Sequence, residues 1–80
     1  MSDSTTFARD LGYIRHRKLG ICQETFAERY GVSLAMLKDQ EQGRHNPHSA
    51  FKVLVAAIDL DPFFMAKAAQ AAEERWGLPK

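Results

Sequence analysis

The sequence predicts an all-α domain, and three observations predict it. Apolar residues recur at three- and four-residue spacing through most of the 80 residues. No stretch of useful length alternates with the period of two that a strand needs. Most of the glycines and prolines fall between the periodic stretches, where they punctuate them. The pattern resolves into five helices, roughly 5–18, 23–30, 34–42, 47–59 and 62–75.

The first helix carries Phe7, Leu11 and Ile14 on one stripe and stops before Gly20. The second carries Phe26, Ala27 and Tyr30 and stops at Gly31. The third follows Ser33, a good N-cap, is anchored by Val32 and Leu37, and stops before Gly43. Glycine suits the left-handed residue that ends a helix. Asn46-Pro47 has the form of an N-cap followed by proline at N1, and starts the fourth helix, with Phe51, Leu54, Val55 and Ile58. Asp61-Pro62 repeats that signal for the fifth, with Phe64, Ala68, Ala72 and Trp76, before Gly77 and Pro79.

Eighty residues make one domain, 1–80, with its core in about 5–75. There is no internal repeat and no linker between two cores. Eleven Lys and Arg stand against ten Asp and Glu, a net charge of +1. That balance lacks the strongly basic signature of the simplest nucleic-acid binders, and equally any acidic tail. An apolar share of 45% marks a globular chain and not a disordered one. One cysteine excludes a disulfide framework and a cysteine-based zinc site. No apolar run approaches the ~18 residues of a membrane span. The first residues lack the basic and apolar stretches of a signal peptide, so the expected setting is cytoplasmic. No nucleophile–base pairing, carboxylate dyad or phosphate loop is present, so no enzyme and no cofactor are expected. His16, His45 and His48 have no carboxylate at ligand spacing, so no metal site is expected either.

The second and third helices are the informative pair. Both are short, and only Gly31-Val32-Ser33 separates them. Two short helices joined by such a turn cross steeply, as in a helix-turn-helix over 23–42. An ordinary helical corner in a small bundle has the same spacing, and spacing alone leaves both open.

The residues go further. Leu19-Gly20-Ile21-Cys22-Gln23-Glu24-Thr25-Phe26-Ala27-Glu28-Arg29-Tyr30-Gly31-Val32-Ser33, then Leu37, then Glu41-Gln42-Gly43-Arg44-His45-Asn46-Pro47, resemble the Cro/C1-type (XRE) helix-turn-helix family of transcriptional regulators. That family's pattern runs Leu-Ser-Gln, two variable residues, an apolar residue and Ala, then Gly-Val-Ser, and ends in Glu-x-Gly-x-x-x-Pro. The match covers about thirty residues and fixes two glycines, a Gln, an Ala, a Glu and a Pro in register. The stretch Asp39 to Arg44 is most similar to antitoxins of the HigA type and the DNA-binding half of MqsA-like antitoxins.

The resemblance implies a five-helix lambda-repressor-like DNA-binding domain whose helices 2 and 3 form the helix-turn-helix. It implies that Ala27 sits at the crossing of those helices and that helix 3 enters the major groove. Gln23, Ser33 and Arg44, with backbone N–H groups near Gln42 and Gly43, would then hold phosphates. Leu34, Ala35, Lys38 and Asp39 would lie nearest the base edges. Glu41 would avoid DNA and pair with an arginine of the first helix. Apolar register selects Arg15, one position after Ile14, whereas counting back from Gln23 selects His16. Arg15 is the expected partner, and the first turn is then one residue longer than usual.

Four positions depart from the pattern. Leu34 and Ala35, with Met36 beside them, replace the polar side chains that usually read bases. Either Leu34 and Ala35 pack on thymine methyl groups, or Leu34 and Met36 are core or dimer residues and the domain binds DNA weakly or not at all. Gln40 stands where an apolar residue is usual, so its amide needs a partner. Cys22 replaces the usual Ser or Thr cap, either as a tolerated small residue or as a thiol of lowered pKa.

The fourth helix is apolar on two faces, Phe51, Leu54 and Ile58 against Ala50, Val53 and Ala57. The second face, with Leu60, Phe63, Phe64 and Met65, either completes a five-helix core or forms a dimer interface. The expected function is a homodimeric repressor that binds a palindromic operator in double-stranded DNA. The alternative is an antitoxin whose main task is to bind a toxin protein.

Overall fold

Asp3–Tyr13 forms α1, and the same helix continues through Ile14–Leu19 as a π-helical segment. In this computed structural model residues 3–78 are described, with side chains from residue 5 onward, and Pro79 lies outside them. Among the described residues every element is helical and no strand is present. The change of pitch at Ile14 differs from the single α-helix expected over 5–18. A π turn closes i→i+5 and so takes up one residue more than an α turn. It absorbs the extra residue that the register of Arg15 requires. Gly20 ends the segment at φ 66°, and its N–H and that of Ile21 both donate to the Arg15 carbonyl.

Gln23–Tyr30 forms α2 and Leu34–Glu41 forms α3, with Gly31-Val32-Ser33 between them. Gly31 has φ 70°, where a Cβ is strained, and a Cβ there would also collide with the Leu78 side chain. The N–H of Val32 donates to the Ala27 carbonyl at 3.0 Å, which tightens the exit from α2. Ser33 Oγ accepts from the Met36 N–H at 3.2 Å, so the expected cap of α3 is formed.

Ser49–Leu60 forms α4, two residues later than the Asn46-Pro47 signal predicts, with His48 as an N-cap that makes no side-chain cap bond. The proline φ serves an extended chain as well as a helix start, so the dipeptide does not distinguish them. Pro62–Trp76 forms α5, where the same signal succeeds. Asp61 Oδ1 accepts from the Phe64 N–H at 3.0 Å with Pro62 behind it.

Leu11, Phe26, Leu37 and Ile58 are fully buried and define the core where α1, α2, α3 and α4 meet. Ile14, Ala27, Tyr30, Phe51 and Val55 complete it, and Phe7 rests edge-on against Phe51 with centroids 5.7 Å apart. Ala27 is buried beside Phe26. Burying each large apolar side chain contributes about 1.5–3 kcal/mol.

α5 contributes no buried residue. Met65 and Ala66 rest on the core, while Phe64 and Trp76 of the expected stripe are 63% and 74% exposed. Residues four apart advance about 40° around a helix at each step, so Phe64, Ala68, Ala72 and Trp76 drift off any single face.

Candidate nucleic-acid interface

Three elements converge on one ion pair. The π segment presents Arg15, α2 begins at Gln23, and α3 ends at Glu41. Arg15 Nε donates to Glu41 Oε2 at 2.6 Å and Nη2 donates to Oε1 at 2.9 Å. Arg15 Nη1 donates to the Ile21 carbonyl at 2.8 Å, and Gln23 Nε2 donates to Glu41 Oε1 at 3.3 Å. The side chains of Arg15 and Glu41 are only 15% and 11% exposed. Hydrogen bonding to Glu41 raises the Arg15 pKa against the opposing effect of burial, so the guanidinium stays charged. His16, the other candidate partner, is exposed.

This network fixes where α3 stands relative to α2. Gln23, expected to hold a phosphate, donates one amide N–H to Glu41, and the second N–H of that amide is the donor a phosphate would need. Its bond to Glu41 was not anticipated from the sequence. The only signal for it was the shared register of the two residues in the motif.

Ala35 and Lys38 of α3 and its C-cap Gln42 are exposed and Asp39 is half-buried, and the spacing places all four along one stripe. Leu34 is not part of that stripe. It is half-buried and packs against the core, as Met36 does. One residue is a 100° step around the helix, which carries Leu34 inward and Ala35 outward. Of the two readings of Leu34, this geometry favours the core contact.

Arg44 Nη1 donates to Asp39 Oδ1 at 3.3 Å, so the two charges beside the stripe partly cancel. Ser33 uses its oxygen as the α3 cap and retains its hydroxyl proton for another acceptor. Lys18 turns away from this region. Its Nζ donates to Asp59 Oδ1 at 2.5 Å and to the Asp59 carbonyl at 2.9 Å, tying the π segment to the end of α4. A separation of 41 residues left no sequence signal for that pair. Among the described residues, Arg17, Arg29, Lys38, Lys52, Lys67 and Arg75 are exposed cations without a salt bridge, and of these Lys38 stands on α3.

Two departures from the motif show their consequences here. Gln40 is buried and its Oε1 has no partner. Cys22 makes no cap bond to α2 and instead pairs with Thr25 Oγ1 at 3.2 Å. Hydrogen bonding to Thr25 draws the exposed thiol below its ordinary pKa.

Away from α3, Val53, Leu60 and Phe63 are 68%, 85% and 84% exposed, and Phe64 is exposed beside them. Met65, grouped with them from the sequence, packs against the core instead. Its position on the helix, one residue from Phe64, again turns it to the other side. Among the described residues no helix is long and apolar enough to cross a membrane, and no cluster of His, Cys, Asp or Glu is placed to hold a metal. No family model, no curated protein and no solved structure matches this chain.

Proposed function

We propose that this protein is a non-enzymatic, sequence-specific DNA-binding regulator, and that the Ala35-Lys38-Asp39-Gln42 face of α3 is its DNA-reading surface. The observation that carries the proposal is that stripe, exposed at Ala35, Lys38 and Gln42 and half-buried at Asp39, on a short helix. The helix is capped at Ser33, held three residues behind α2, and locked by Arg15 and Glu41. In this reading α2 and α3 are a helix-turn-helix, and α3 lies in the major groove. Lys38 contacts a guanine or a phosphate, Gln42 and Ser33 hold the backbone, and Ala35 packs on a thymine methyl group. Arg44 exchanges Asp39 for a phosphate on binding.

Few free cations flank the stripe, so a single copy binds weakly. The exposed apolar face of Val53, Leu60, Phe63 and Phe64 is the natural dimer surface, because its burial in a second copy removes apolar area from water. A twofold dimer reads a palindrome with half-sites one helical turn, ~34–36 Å, apart. Selection from a random duplex library tests the reading. Enrichment of a palindrome with that spacing supports it, and recovery of no consensus rejects it.

A second reading has its own observation. Leu34 and Met36 pack inward, and Arg44 is paired with Asp39, which leaves little base-reading chemistry on α3. That favours an antitoxin whose main task is to bind a toxin protein, with weak DNA readout serving autoregulation. Co-expression with the product of a neighbouring small gene tests it. Relief of growth arrest supports it, and persistent arrest rejects it.

A further inference from the structure

A groove of about 960 Å³ runs between α2 and α5, and none of Ala35, Lys38, Asp39 or Gln42 lines it. Ala27, Val32, Ala66 and Ala69 give it an apolar floor, and Leu78 lies in it against Gly31. Its rim holds four carboxylates, Glu24, Glu28, Glu73 and Glu74, and one cation, Arg29. All four glutamates are exposed, and among the described residues none makes a salt bridge.

Folding alone does not favour this arrangement. Glu24 and Glu28 are four apart on one helix, where like charges repel. Glu73 and Glu74 stand in the last turn of α5, and Glu28 in the last turn of α2, each at the negative end of a helix dipole. Three of the four carboxylates therefore occupy positions where a cation would stabilise the helix.

We infer that the groove is a docking surface for a basic, amphipathic segment of a partner protein. An apolar side chain of that segment takes the place of Leu78 on the alanine floor, and its lysines or arginines cover the glutamates. The charge excludes duplex DNA, whose phosphates the rim repels. It also disfavours a second copy of this chain, since residues 49–66, which carry the exposed apolar face, include a single cation, Lys52. Alanines three residues apart on α5 leave room for close approach of a helix. The inference is independent of DNA binding by α3 and stands or falls separately.

The test titrates the isotope-labelled full chain with synthetic amphipathic peptides of about 14 residues, patterned at helical spacing. One is leucine–lysine, one leucine–glutamate, and one serine–lysine. The leucine–lysine peptide is expected to shift the amides of Glu24, Glu28, Ala69 and Glu73 and to bind at least roughly tenfold more tightly than the other two. The double variant Glu28→Gln/Glu73→Gln is expected to weaken that peptide by about tenfold while raising the melting temperature of the free chain. A gain in stability separates lost binding from lost folding. Shifts centred on Val53, Leu60 and Phe63, equal binding of the leucine–glutamate peptide, unchanged affinity in the double variant, or a lowered melting temperature would each overturn the inference.

Discussion

Arg15 and Glu41, 26 residues apart, form a two-bond guanidinium–carboxylate pair at 2.6 and 2.9 Å that joins the start of the π segment to the end of α3. Its planar fork matches the carboxylate, and its low exposure keeps water from competing. The pair is the mechanical link between the core and the proposed reading face.

Glu41→Ala leaves the Arg15 guanidinium largely buried without its counter-charge. The expected cost is about 3–5 kcal/mol, as for other broken buried pairs. In a domain of this size each kcal/mol lowers the melting temperature by ~4–8 °C. A thermal melt within one degree of wild type contradicts the structural role of the pair. Because the Arg15 pKa is raised by Glu41, its contribution is fully present below the ordinary arginine pKa and is lost only as pH rises beyond it, so it is not lost in neutral solution.

Gln40→Met should stabilise the domain. An unpartnered buried amide oxygen costs about 1–3 kcal/mol, and an apolar side chain of similar length removes that cost. Differential scanning calorimetry checks it. A melting temperature at or below wild type shows that the amide has a compensating role.

Cys22→Ser should also stabilise, by about 0.5–1 kcal/mol, because serine supplies the missing cap of α2. The lowered thiol pKa has a separate consequence in the wild type. Cys22 should react with iodoacetamide at pH 7.5 faster than a cysteine in a short unstructured peptide. Equal rates refute the Thr25 effect.

The all-helical fold was legible because apolar spacing and caps agreed along most of the chain. Ser33 and Asp61 are local signals, and both caps form. The Arg15–Glu41 contact was approachable because motif register and apolar register disagreed by one residue, and the π segment accounts for that residue. Less local features were not legible. The inward face of α5 depends on Met65 and Ala66 meeting the core, which the phase of a drifting four-residue stripe does not report. The pairings Lys18–Asp59 and Asp39–Arg44 arise from tertiary approach and loop geometry, and they change which cations remain free near α3. The groove between α2 and α5 is likewise a product of packing.

Asp39→Asn should strengthen DNA binding severalfold at low salt. It removes a carboxylate from the proposed interface and releases Arg44 from its 3.3 Å pair. Fluorescence anisotropy on a selected operator checks this. Weaker binding by the variant would instead show that Asp39 accepts from a cytosine amine.

The central claim is that α3 presents this chain to duplex DNA as a dimer with about three phosphate contacts per subunit. Anisotropy titration of the selected operator between 50 and 200 mM salt tests it most directly. With ~6 phosphates neutralised per dimer, affinity should fall by roughly a thousandfold across that range. Affinity that stays flat with salt, or no binding to any duplex at 50 mM, would contradict the account.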